Sequence, residues 1–167
     1  MVIQEQDLLR IRSVAARVCD PEVPVLTIDD LGILRDVKVE NGKAVVEITP
    51  TFTGCPAMRT ISEDIIAELK SEGIEGVDVR LVLSPAWTTD WMSESGKKKL
   101  KEYGIAPPSQ STEEHLAAMM SGKKKSVQCP FCNSTHTRLT SPFGSTACKA
   151  LHYCDDCRQP FEEFKCH

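Results

Sequence analysis

The chain has 167 residues, with 20 basic and 24 acidic side chains, a net charge of −4 and 41% hydrophobic residues, a balance that supports a packed core and excludes wholesale disorder. An acidic excess argues against general nucleic-acid binding, which rests on a basic footprint. The longest run without Asp, Glu, Lys or Arg, Ser126 to Thr137, is polar and far shorter than a membrane span, and the start MVIQEQDLLRIR lacks the apolar stretch of a secretory signal, so the expected location is the cytoplasm.

Leu8, Ile11, Ala15 and Val18 recur at helical spacing, and Asp20-Pro21 stops that first helix. From Leu31 the period changes to two, with Leu31, Ile33, Val37 and Val39 on one face. Asn41-Gly42 then signals a hairpin, because both central residues of a type I′ turn need positive φ. Ala44, Val46 and Ile48 form the return strand. After the loop Pro50 to Gly54, Pro56 suits a first helical position, Met58, Ile61, Ile65 and Leu69 supply a buried stripe, and Gly73 and Gly76 end the helix. Val77, Val79, Leu81 and Leu83 predict a third strand ended by Ser84-Pro85, and a last helix is expected over Asp90 to Tyr103. The order α-β-β-α-β-α predicts an α/β domain of helices on a small mixed sheet, spanning residues 1–106. Residues 107–126 read as a linker with one short helix, Glu113 to Met120, and a solvated lysine run, Lys123 to Lys125.

Six of the eight cysteines lie between Cys129 and Cys166. In a reducing cytosol such a cluster reads as a metal site before a disulfide framework. Cys129-Pro130-Phe131-Cys132 and Cys154-Asp155-Asp156-Cys157 are two C-x2-C knuckles separated by 21 residues, the pattern of a four-thiolate tetrahedral site. Residues 127–167 therefore predict a zinc ribbon with Zn2+ as a structural ion, iron being the alternative for the same ligand set. Phe131, Phe143, Phe161 and Phe164 are the expected core. So small a module needs such a staple, and metal binding and folding should be one event. Cys148 and Cys166, with His136, His152 and His167 nearby, are left without a ligand role, and His115 has no partner visible in the sequence.

Cys55, in Thr51-Phe52-Thr53-Gly54-Cys55-Pro56, falls at the start of the second helix. Unpaired N–H groups and the dipole there favour thiolate, which makes Cys55 a candidate nucleophile or metal ligand, with a small half-buried cysteine as the plain alternative. No His or other base is recognisable beside it. Cys19 reads as a core residue of the first helix.

Resemblance adds to this reading. Asp20-Pro21-Glu22-Val23-Pro24-Val25, Ile28-Asp29-Asp30-Leu31-Gly32, and Thr51 with Gly54-Cys55-Pro56 resemble the metal–sulfur cluster assembly domain family, which includes the SufT-like maturation factors. Pro85 to Ser93, Gly104 to Pro108, Phe143 to Ala150 and Phe164-Lys165-Cys166 resemble one branch, the D subunits of ring 1,2-phenylacetyl-CoA epoxidase (PaaD-type proteins). The resemblance implies an accessory, non-catalytic role in phenylacetate degradation. The partners it implies are the reductase subunit, bearing flavin and a [2Fe-2S] cluster, the di-iron oxygenase subunit, or both. It further implies transient iron or Fe–S cluster binding at Cys55, with Asp20, Glu22 and Thr51 assisting, and a homodimer as one way to complete the ligand set. Asp20 and Glu22 have a plain alternative role in capping turns. Trp87 and Trp91 are either a partner-facing patch or core. The competing readings are a docking subunit with an inert Cys55, and a thiol-redox protein pairing Cys55 with Cys148 or Cys166.

Overall fold

The computed structural model describes residues 4–108, 117, 120–121 and 126–165. Backbone contacts divide the chain into two units, 1–87 and 88–167. The expected helix over 113–120 lies almost wholly outside the described residues, as do the lysine run, His115, Cys166 and His167.

The first unit runs α1 (Glu5–Ala15), β1 (Leu34–Glu40), β2 (Lys43–Ile48), α2 (Ala57–Ser71) and β3 (Val77–Leu81). Its sheet has the order β1-β2-β3, with β1 antiparallel and β3 parallel to β2. Asn41 (φ 50°) and Gly42 (φ 78°) turn the hairpin as expected, and α2 makes the crossover between β2 and β3. Ile61, Ile65 and Leu69 of α2 are fully buried. The helix ends in a Schellman arrangement: Gly73 takes φ 73°, its amide bonds the Lys70 carbonyl (3.0 Å), and the Ile74 amide bonds that of Leu69 (2.9 Å). Glu40, Glu47, Lys38 and Arg80 form an ion-pair ladder across all three strands, with Lys38–Glu47 at 2.7 Å and Arg80–Glu40 at 2.6 Å. Arg80 and Lys38 together hold the Glu40 carboxyl at about 2.

Several local expectations are corrected. Helix α1 stops at Ala15, so Val18 is buried from the turn that follows it, its amide on the Ala15 carbonyl (3.1 Å), and Cys19 is exposed beside it in an isolated bridge to Thr27. Leu31 is buried in the turn before β1, Ile33 is buried directly ahead of the strand with its carbonyl accepting the Thr49 amide (2.9 Å), and a bulge between Leu34 and Asp36 breaks the two-residue period. That turn is opened by a reciprocal pair: the Asp30 amide donates to Thr27 Oγ1 (3.0 Å) and the Thr27 amide to Asp30 Oδ2 (3.3 Å). Trp87 is a core residue whose Nε1–H donates to the Leu31 carbonyl at 2.8 Å. Trp87→Phe leaves that buried carbonyl without its donor and is expected to cost about 1–3 kcal/mol in urea unfolding followed by circular dichroism.

The second unit begins with a 3-10 turn (Thr89–Trp91) and continues with α3 (Glu94–Glu102). The single helix expected over 90–103 is thus split. Met92 is extended, and Ser93 starts a new helix by accepting the Gly96 amide on its hydroxyl at 2.8 Å. Then come β4 (Ile105–Ala106), β5 (Thr137–Ser141), β6 (Lys149–Cys154) and β7 (Pro160–Phe164), in a sheet ordered β4-β7-β6-β5. Ile105 and Ala106, read from the sequence as the end of the first domain, pair with Glu162 and Glu163 of this sheet. Ala106, Val127, Cys129, Cys154 and Phe161 pack into one small apolar cluster of this unit. Phe164 is buried as expected, whereas Phe131 and Phe143 are exposed. The Phe131 ring lies against the backbone of Gly104, and Phe143 lies under the Lys165 ammonium, 4.6 Å from the ring centre. His152 and Glu163 are a buried pair at 3.0 Å. Among the described residues no helix is long and apolar enough to cross a membrane.

Candidate functional site

The four knuckle cysteines converge. The sulfurs of Cys129, Cys132, Cys154 and Cys157 all lie within 4.8 Å of one another, with Cys129–Cys157 at 3.7 Å and Cys132–Cys154 at 3.6 Å. Four thiolates at about 2.3 Å from a tetrahedral zinc stand about 3.8 Å apart, so the spacing fits such an ion. The two knuckles are built alike. Asn133 and Arg158, each four residues after the first cysteine of its knuckle, take positive φ (62° and 58°). The Cys129 amide bonds the Ser134 carbonyl (2.9 Å), and the Cys154 amide bonds that of Gln159 (3.0 Å).

Cys154 is drawn down to about 7, chiefly by the Cys157 amide, while burial and then the three other thiols push Cys157 up to about 12. A resident metal would replace those protons and hold all four as thiolates. Sequence reasoning missed what ties the knuckles together. Ser134 Oγ donates to Asp156 Oδ2 at 2.5 Å, His136 Nδ1 lies 3.3 Å from Asp156 Oδ1, and the Asp155 amide bonds the His136 carbonyl at 2.9 Å. The available signal was Asp156 inside one knuckle with Ser134 and His136 just past the other.

The second location is the start of α2. Cys55 is half-buried just ahead of α2, where the nearby Ala57 and Met58 amides of the helix start favour its thiolate. Its backbone turns through Gly54 at φ 84°. Contrary to the sequence expectation, the Cys55 thiol is raised above its ordinary value. Burial is the larger cause, the two amides oppose it, and the negative charges of Glu22 and Asp20 reinforce it. The charges of those two acids act on the thiol from the loop after α1. The loop is fixed by the Asp20 amide on the Leu26 carbonyl (2.9 Å), the Leu26 amide on that of Val23 (2.9 Å) and the Ile28 amide on that of Val18 (2.8 Å). Asp20 Oδ1 accepts the amides of Glu22 (2.8 Å) and Val23 (2.9 Å), so its carboxylate also builds the loop. Thr51 is buried in the segment leading to Cys55. Cys148 is buried, with Thr146 Oγ1 at 3.1 Å from its sulfur.

A four-thiol ribbon joined to an α/β unit with a half-buried cysteine at a helix start defines a class that comparison with known proteins makes specific. Residues 10–83 match the family model "Iron-sulfur cluster assembly protein", and residues 113–165 match "PaaD zinc beta ribbon domain". The chain is 47% identical over 152 residues to an Escherichia coli K12 protein named as the putative D subunit of 1,2-phenylacetyl-CoA epoxidase, covering 90% of this chain and 88% of that one. It is 37% identical over 98 residues to an "Fe-S protein maturation auxiliary factor" of Porphyromonas gingivalis, covering 58% of this chain and 90% of that one. A crystal structure of a domain of unknown function (DUF59) from Bacillus anthracis superposes with a TM-score of 0.53 at 31% identity, over 58% of this chain and 93% of that one. The chain belongs to the PaaD-type family, in which an iron–sulfur cluster assembly domain precedes a zinc β-ribbon.

Proposed function

We propose that the chain is a cytoplasmic, non-catalytic maturation factor that carries iron or an Fe–S cluster on Cys55 to the reductase or di-iron subunit of a phenylacetyl-CoA epoxidase. Zinc in the ribbon is a structural ion. The observation that carries this reading is the placement of Cys55: a half-buried sulfur at the start of α2, just past the Gly54 turn and in the field of Glu22 and Asp20. The amides favour a charged sulfur, and a cationic cargo meets the two carboxylates with opposite charge. One thiolate is too few for a durable cluster, which normally takes four ligands, and that suits a cargo meant to leave. Thr51 and the carboxylates of Asp20 and Glu22 would steady the cargo while the client supplies the remaining ligands.

The ribbon, whose four sulfurs are taken by its own ion, serves recognition of the client. A docking subunit with an inert Cys55 is favoured by one observation, the use of the Asp20 carboxylate to hold its loop. Co-expression of the epoxidase subunits with the parent chain or with Cys55→Ser separates the two. The variant is expected to lower the iron content of the client subunit severalfold without altering its yield. Full loading beside Cys55→Ser would leave the docking reading in its place.

A further inference from the structure

Strand β3 closes one side of the first sheet, and among the described residues its only strand neighbour is β2. The Val82 amide donates to the Ile48 carbonyl at 2.8 Å, along the parallel register that sets Ile48 beside Leu81. Backbone polar groups of an extended strand alternate between its two sides. Asp78 and Arg80 therefore turn theirs toward β2, as Val82 does, and Val77, Val79 and Leu81 turn N–H and C=O outward. Such an edge is a template for another strand, and its side chains decide which one.

The segment Val77-Asp78-Val79-Arg80-Leu81 is complementary to itself when run antiparallel about Val79. Val77 then meets Leu81, Asp78 meets Arg80, and Val79 meets its own copy. In that register the outward-turned residues 77, 79 and 81 form the hydrogen-bonded pairs. Asp78 and Arg80 fall in the non-hydrogen-bonded pairs, where opposing side chains come closest. Sliding the partner by two residues keeps the hydrogen bonding but sets Asp78 against Asp78 or Arg80 against Arg80, so charge selects one register. Leu81 is 47% exposed in the single chain and is covered by Val77 of the partner strand. Arg80 is steadied by Glu40 at 2.6 Å, and its guanidinium has five N–H donors to share between that pair and a facing carboxylate.

We infer that a second copy of this chain docks here. The two β3 strands pair antiparallel about a twofold axis at Val79, joining two three-stranded sheets into one continuous sheet. The contact is isologous and closes on itself, which spares the protein the open-ended association that a free edge invites.

Sedimentation equilibrium of the full chain, with hydrogen exchange across the same concentrations, tests this. The parent is expected to dimerise reversibly, and the amides of Val77, Val79 and Leu81 are expected to gain protection as it does. Asp78→Arg sets two like-charge pairs in the interface and is expected to raise the dimer dissociation constant roughly tenfold. Asp78 is exposed, so the variant's circular dichroism should match the parent's. A parent that stays monomeric, a dimer indifferent to Asp78→Arg, or protection gained elsewhere but not at these three amides would overturn the inference.

Discussion

Cys154→Ser is expected to unfold the ribbon strands, not merely to loosen them. Two of the five residues of the cluster beneath the knuckles, Cys129 and Cys154, are themselves among the four converging thiols, and Phe161 is the only aromatic among the five. Phe131 and Phe143, which would have enlarged that cluster, are exposed. Metal binding in four-ligand modules is worth about 10–16 kcal/mol at neutral pH, several times what so small an apolar cluster supplies. Hydrogen exchange of the variant should show protection lost in β5 to β7 and kept in β1 to β3. A strong chelator on the parent is expected to give the same pattern, as in other modules where metal binding and folding are one event. Retained protection in β6 after chelation would mean that the strands stand without the ion.

The second large effect lies at Asp20, where structural and electrostatic roles are separable. Asp20→Ala removes the acceptor of two amides, one of them buried, and is expected to cost about 2–4 kcal/mol in urea unfolding. Asp20→Asn keeps an oxygen there and should cost about 1 kcal/mol or less. Both Asp20→Asn and Glu22→Gln remove a negative charge that raises the Cys55 thiol, so alkylation of the Cys55 peptide, followed by mass spectrometry against pH, should shift to lower pH in each. The sign on stability follows from linkage. The folded chain holds the Cys55 proton more tightly than the unfolded chain does. Its contribution is therefore fully present below the unfolded value of about 8.5 and is lost as pH rises through the folded value. An unchanged alkylation profile in Glu22→Gln would remove that carboxylate from the site.

What was legible in the sequence was local. The stripe Met58, Ile61, Ile65 and Leu69 needs only the helical period, and all four are buried. Asn41-Gly42 needs only two positive φ angles, and the two C-x2-C knuckles need only ligand spacing. What stayed hidden depends on residues distant in sequence. Leu31 has strand spacing with Ile33, but the Thr27–Asp30 pair curls the segment through Leu31 into a turn and the strand begins only after Ile33. Cys55 looked set for a lowered pKa because the helix end is visible locally. Its burial and the carboxylates brought by the loop after α1 are tertiary facts, and they reverse the sign. The bridge from Asp156 to Ser134 and His136 likewise links groups far apart along the chain and was invisible until the knuckles closed.

Anaerobic reconstitution with ferrous iron and sulfide, comparing the parent chain with Cys55→Ser, tests the cargo role of Cys55 most directly. Element analysis counts zinc and iron per chain, and absorption spectra report any cluster. Equal zinc is expected in both proteins and labile iron in the parent alone, its retention rising with pH as the thiol proton is displaced. Equal iron in parent and Cys55→Ser would contradict a cargo role for this cysteine.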